Sequence, residues 1–108
     1  MKIPSASVER GCDEKGKEMI CIKVGCSTYE VNVRIRPSEV KKLKKVPGSP
    51  WEKGALRLGR SAGADVFWSC DAKKVSILIG YDDQTWDIGV TIPLGVFKTM
   101  LREIDLLL

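Results

Sequence analysis

Ser61 stands between two glycines in Gly59-Arg60-Ser61-Ala62-Gly63, the G-x-S-x-G spacing that holds a nucleophilic serine on a sharp strand-to-helix elbow. A serine used this way needs a base to take its proton, and histidine ordinarily does so. This sequence contains no histidine. The residues that follow, Val66-Phe67-Trp68, read as strand rather than helix, and 108 residues is short for a hydrolase fold. The expectation is that the glycines and serine turn the chain between strands and that no residue is catalytic.

Cys12, Cys21, Cys26 and Cys70 could in principle hold Zn²⁺ through four thiolates, but there is no C-x-x-C knuckle and Cys70 lies far from the others. Cysteine also packs as a small hydrophobe, so inert thiols are expected. Four is an even number, which raises a disulfide framework. The opening residues 1–10 contain no secretory-type apolar run, and reduced thiols in a cytoplasmic protein are the expectation. Asp82, Asp83 and Asp87 crowd one short stretch. Oxygen-rich clusters suit hard cations, but the glycine and final glutamate of a Ca²⁺ loop are missing here, so a solvated turn is expected. Neither a metal nor a cofactor is anticipated.

Charge is unevenly spread. From Arg34 to Arg60 nine basic residues face two acidic ones, whereas from Ser61 to Val90 five acidic residues face two basic ones. Such asymmetry produces a field that steers a charged partner. Lys41, Lys42, Lys44, Lys45, Arg57 and Arg60, with Trp51 as a stacking aromatic, would suit phosphate contacts in a nucleic-acid-binding domain. The same lysines could equally be a solvated helix face. Trp51, in the Pro47–Gly54 loop beside Lys53, either presents an interface aromatic or folds back over a core edge. Trp86 shares the parity of Ile88 and Val90 and is expected in the core, as is Trp68.

The elements that position these residues follow from apolar periodicity. Ile20, Ile22 and Val24 alternate with Met19, Cys21 and Lys23, and Val31, Val33 and Ile35 alternate with Asn32, Arg34 and Arg36, which predicts a hairpin turning at Gly25–Thr28. An edge strand around Ile3 to Val8 is also possible from the sequence. Ser38 is expected to cap a short helix carrying Val40 and Leu43 that stops at Pro47. Leu56 to Leu58 and Asp65 to Cys70 read as strands. Val75 to Tyr81 and Trp86 to Ile92 form the clearest hairpin, expected in the middle of the sheet. Pro93 opens a terminal helix whose apolar stripe is Phe97, Leu101, Ile104 and Leu108. The predicted architecture is α+β: one globular domain over residues 1–108, with a mainly antiparallel β-sheet of about six or seven strands, a short middle helix and a C-terminal amphipathic helix packed on the sheet.

The string Phe67-Trp68-Ser69-Cys70, then Val75 to Ile88 and Val90-Thr91-Ile92-Pro93, resembles small bacterial immunity proteins of contact-dependent and polymorphic toxin systems. The resemblance covers about 40 residues and carries no functional residue across, because such proteins recognise toxins through surfaces that differ from member to member. It implies a non-enzymatic, cytoplasmic protein-binding module that neutralises a cognate toxin domain. Partner contacts are expected from Asp82, Asp83 and Asp87 facing a basic site, or from Trp51 and Lys53 on the basic side. The acidic tip is the better candidate, since a nucleic-acid-directed toxin presents positive charge, and charge reversal at Asp82 and Asp83 should weaken binding. The alternative is the nucleic-acid-binding domain described above.

Overall fold

Period-two alternation places one set of side chains on each face of a strand, and seven segments of the chain fold in this way. They are β1 (Ser5–Cys12), β2 (Glu18–Cys26), β3 (Tyr29–Ile35), β4 (Leu56–Ser61), β5 (Ala64–Asp71), β6 (Lys74–Gly80) and β7 (Trp86–Pro93). They are described in a computed structural model that covers residues 3–108. The strands form a single antiparallel sheet in chain order, β1 to β7. With two short helices of the chain set against this sheet, the architecture is α+β.

One face carries the core. Ile20, Ile22 and Val24 of β2, Val33 and Ile35 of β3, Trp68 of β5 and Ile77 of β6 are fully buried. The helix α2 (Leu94–Leu107) lays Phe97, Met100 and Ile104 against them. That stripe differs from the expected one: Met100 takes a core place, Leu101 is only partly buried, and Leu108, beyond the last helical residue, is exposed. Helix α2 packs on β1, β6 and β7, so it bridges the two edge strands and shields a sheet that ends in unpaired backbone on both sides. The Arg10 guanidinium donates to the Leu107 carbonyl, and the Leu94 N–H donates to the Lys73 carbonyl at 2.9 Å, fixing both ends of the helix.

The β6–β7 hairpin is not central. Each strand pairs with its sequence neighbours, so the last strand is necessarily an edge, and most of β7 is exposed. Its parity also changes partway. Ile79 faces Ile88 and Gly80 faces Trp86, leaving Asp87 as an extra, unregistered residue. This bulge turns Trp86 to the outer face, where its ring covers Gly89: a Cβ on Gly89 would lie 2.8 Å from Trp86 Cζ3 and 3.1 Å from Leu78 Cδ2. Trp86 is therefore not in the core, and neither is Ile88, whose end of the sheet is not covered by α2.

Between β3 and β4 lie a 3-10 turn (Pro37–Glu39), the helix α1 (Val40–Leu43) and two further 3-10 turns at Val46–Gly48 and Trp51–Lys53. Val40, Leu43 and Val46 enter the core. Ser38 does not cap this segment. Glu39 does the work instead, its Oε1 accepting the Arg36 N–H at 2.9 Å and its Oε2 the Gly59 N–H at 3.2 Å. A carboxylate reaches both strands flanking the excursion, which a serine hydroxyl is too short to do.

Two hairpins close through two-residue loops with both φ positive: Ala62-Gly63 (φ 50° and 81°) and Ala72-Lys73 (φ 50° and 62°). These suit the right-handed twist of the strands, and Asn-Gly is the pair that adopts them with least strain. Exchanging Ala72-Lys73 for Asn-Gly is expected to stabilise the fold by about 1 kcal/mol, read as a higher urea midpoint at unchanged slope.

Candidate functional site

The G-x-S-x-G segment is accounted for by backbone geometry. Gly59 (φ 76°) lies in a bulge of β4, where the register shifts between Arg57 and Arg60, and Ala62-Gly63 forms the turn into β5. Ser61 is the last residue of β4, and the chain continues as strand, not helix. The four cysteines carry no disulfide; Cys70 is buried in the core, and burial pushes its thiol pKa up. Among the described residues no group of three or more cysteines and carboxylates is placed to hold a metal ion, and no helix is long and apolar enough to cross a membrane.

The acidic hairpin end is more ordered than a solvated turn requires. Asp82 Oδ1 accepts the N–H groups of Gln84 at 2.8 Å and Thr85 at 2.6 Å, and Tyr81 N–H donates to the Thr85 carbonyl at 2.9 Å. Asp82 therefore shapes its own turn. Asp83 Oδ2 accepts the Ala55 N–H at 3.4 Å, so the acidic end touches the chain two residues beyond Lys53. Asp87, in the bulge, is exposed and makes no hydrogen bond or ion pair among the described residues.

Next to these carboxylates in sequence stand exposed apolar residues that periodicity did not reveal. Tyr81 is 83% exposed, Trp86 44% and Ile88 48%. Ile88 also lines a cleft of about 300 Å³ with Val31, Asn32, Ser61 and Ile79. Within that residue set, Asn32 Oδ1 is buried without a hydrogen-bond partner, its Nδ2 donating to Glu30 Oε2 at 3.1 Å.

The basic residues do not form one face. Lys44 Nζ pairs with Asp105 on α2 at 2.9 Å, while Lys42 Nζ donates to the Arg57 carbonyl at 2.8 Å, on the other side of α1. Lys41 and Lys45 are exposed. Arg57 and Arg60 instead join Arg34 and Arg36, which sequence reading left out of the candidate set, around a cleft of about 590 Å³. Trp51 does not line it; its backbone N–H donates to Asp71 Oδ2 at 3.0 Å and the residue is 37% exposed. At the neighbouring β1–β2 turn, the N–H groups of Lys17 and Lys15 and the Arg36 guanidinium, 2.7 Å away, hold the Asp13 carboxyl below its ordinary pKa.

No protein-family model, curated protein or solved structure matches the chain.

Proposed function

We propose that the protein is a non-enzymatic, cytoplasmic protein-binding module that docks a basic partner on the end of the β6–β7 hairpin, and that this partner is a toxin domain which it neutralises. One observation carries the docking reading: the aromatic residues Tyr81 and Trp86 are exposed and flank Asp82 and Asp83 in sequence, with Asp87 next to Trp86. Apolar side chains exposed in water gain by burial, and tryptophan and tyrosine dominate the energetics of protein interfaces when a ring of polar groups surrounds them. The neighbouring carboxylates attract a positive surface over a distance. The toxin class rests on the resemblance of residues 67–93 to immunity proteins.

With the purified partner, Trp86→Ala should weaken binding by about 2 kcal/mol or more, roughly thirtyfold, by raising the dissociation rate. Asp87→Lys should instead slow association and flatten its dependence on salt. Asp87 is the cleaner charge probe, because Asp82 also holds its turn together. Calorimetry and stopped-flow mixing at two ionic strengths check both, and equal binding by wild type and both variants would remove this surface from consideration.

A further inference from the structure

We propose that the cleft between β3 and β4 is a second, separate site that binds a phosphate group, with Arg34 as its anchor. The sheet is divided here: among the described residues a single register pair, Arg34 opposite Arg60, joins β3 to β4. Like charges directly opposite on adjacent strands destabilise a sheet, yet this junction sets two arginines at opposite positions, with Asp65 holding the guanidinium of Arg60. Arg36 and Arg57 line the same cleft.

The carboxylates nearby are already engaged. Asp65 serves Arg60 at 2.8 Å and Arg57 at 4.0 Å, Asp13 serves Arg36 at 2.7 Å, and Glu39 accepts backbone N–H groups from Arg36 and Gly59. Arg34 has no carboxylate partner among the described residues. The cleft lining holds four arginines against Glu39 and Asp65, and with Asp13 on Arg36 one positive charge is left over, that of Arg34.

A phosphate group, with more terminal oxygens than a carboxylate, suits a lining of several arginines. The guanidinium fork matches phosphate oxygens two at a time, and the several terminal oxygens let more than one arginine bind at once. At about 590 Å³ the concavity has the size of a small-molecule site. No aromatic side chain lines it, so recognition rests on the phosphate and not on base stacking. The phosphate could be carried by a small molecule or by a nucleic-acid strand.

The test uses the full chain with pyrophosphate, ionic strength held constant with sodium chloride. At about ten times its Kd, pyrophosphate should raise the melting temperature by about 5 °C beyond the chloride control. Arg34→Ala should weaken that binding about tenfold or more while leaving the anion-free melting temperature unchanged or higher, because it relieves the repulsion opposite Arg60. Arg34→Lys keeps the charge and loses the fork, so its affinity should fall between the two. A single-stranded oligothymidylate, with and without a 5′-phosphate, separates the sources: binding through Arg34 in either form indicates a nucleic-acid backbone, and binding only with the terminal phosphate indicates a monoester. Either result supports the site. No shift beyond chloride together with no oligonucleotide binding would overturn it, as would wild-type affinity in Arg34→Ala or a lower anion-free melting temperature for that variant. Because Asp87→Lys should leave pyrophosphate binding intact, failure of this site is distinguishable from failure of the hairpin-end reading.

Discussion

Trp68→Ala is expected to lower the unfolding free energy by about 3–5 kcal/mol, the largest stability loss from any single truncation in this fold. Trp68 is fully buried, its ring lies 6.0 Å from that of Phe97 at 57°, and its Nε1–H donates to the Leu58 carbonyl at 2.9 Å. It thus ties together the sheet, α2 and the bulge of β4, in a domain whose whole stability is of order 5–15 kcal/mol. Urea unfolding followed by circular dichroism measures the loss. Trp68→Phe keeps most of the ring packing and removes the donor, leaving the Leu58 carbonyl unmet inside the core, and should cost about 1–3 kcal/mol. A shift under about 1 kcal/mol for the alanine variant would contradict the assignment of Trp68 as the centre of the core.

The second large effect is at Gly59. Its φ of 76° disfavours any side chain, and an added Cβ would lie 2.7 Å from Ile35 Cγ2 and 2.8 Å from the Arg34 carbonyl oxygen. The backbone oxygen cannot swing aside as the end of a flexible side chain can. Gly59→Ala should therefore cost about 3 kcal/mol, adding overpacking to the left-handed backbone penalty. Gly63 separates the two contributions: its φ is 81° but nothing lies within 4 Å of an added Cβ, so Gly63→Ala should cost only about 1 kcal/mol. Equal losses in the two variants would show that close approach to β3 is not what requires glycine at position 59.

These two positions also mark how far the sequence could be read. The strands of β2, β3 and β6 were legible because Ile20, Val33 and Ile77 repeat with strict parity against one buried face, and α2 because Phe97 and Ile104 lie two turns apart. The bulge at Asp87 was not legible. One unregistered residue reverses the parity of Trp86, and nothing in the composition of residues 84–90 announces it. For the same reason the apolar hairpin end was hidden, although its acidic members were visible. The arginine cleft was missed for a different reason. Along the chain Lys41 to Lys45 dominate the charge, whereas the cleft is assembled across strands. Parity held a usable signal, since Arg34 and Arg36 alternate with Val33 and Ile35 and so share the outer face. The opposition of Arg34 to Arg60 depends on the β3–β4 register, which the excursion from Pro37 to Ala55 leaves unspecified. Glu39 in place of Ser38 as the stabilising residue is a case of reach: only the longer side chain spans from Arg36 to Gly59.

The most direct measurement is affinity capture from the native cells with three tagged proteins in parallel: wild type, Trp86→Ala with Asp87→Lys, and Arg34→Ala, each first shown to melt cooperatively. A protein docked on the β6–β7 end should be a single basic species retained by wild type and Arg34→Ala, released by salt, and lost from the double variant. The same species recovered equally with the double variant, or no specific species with wild type, would contradict a partner-binding surface at Tyr81, Trp86 and Asp87.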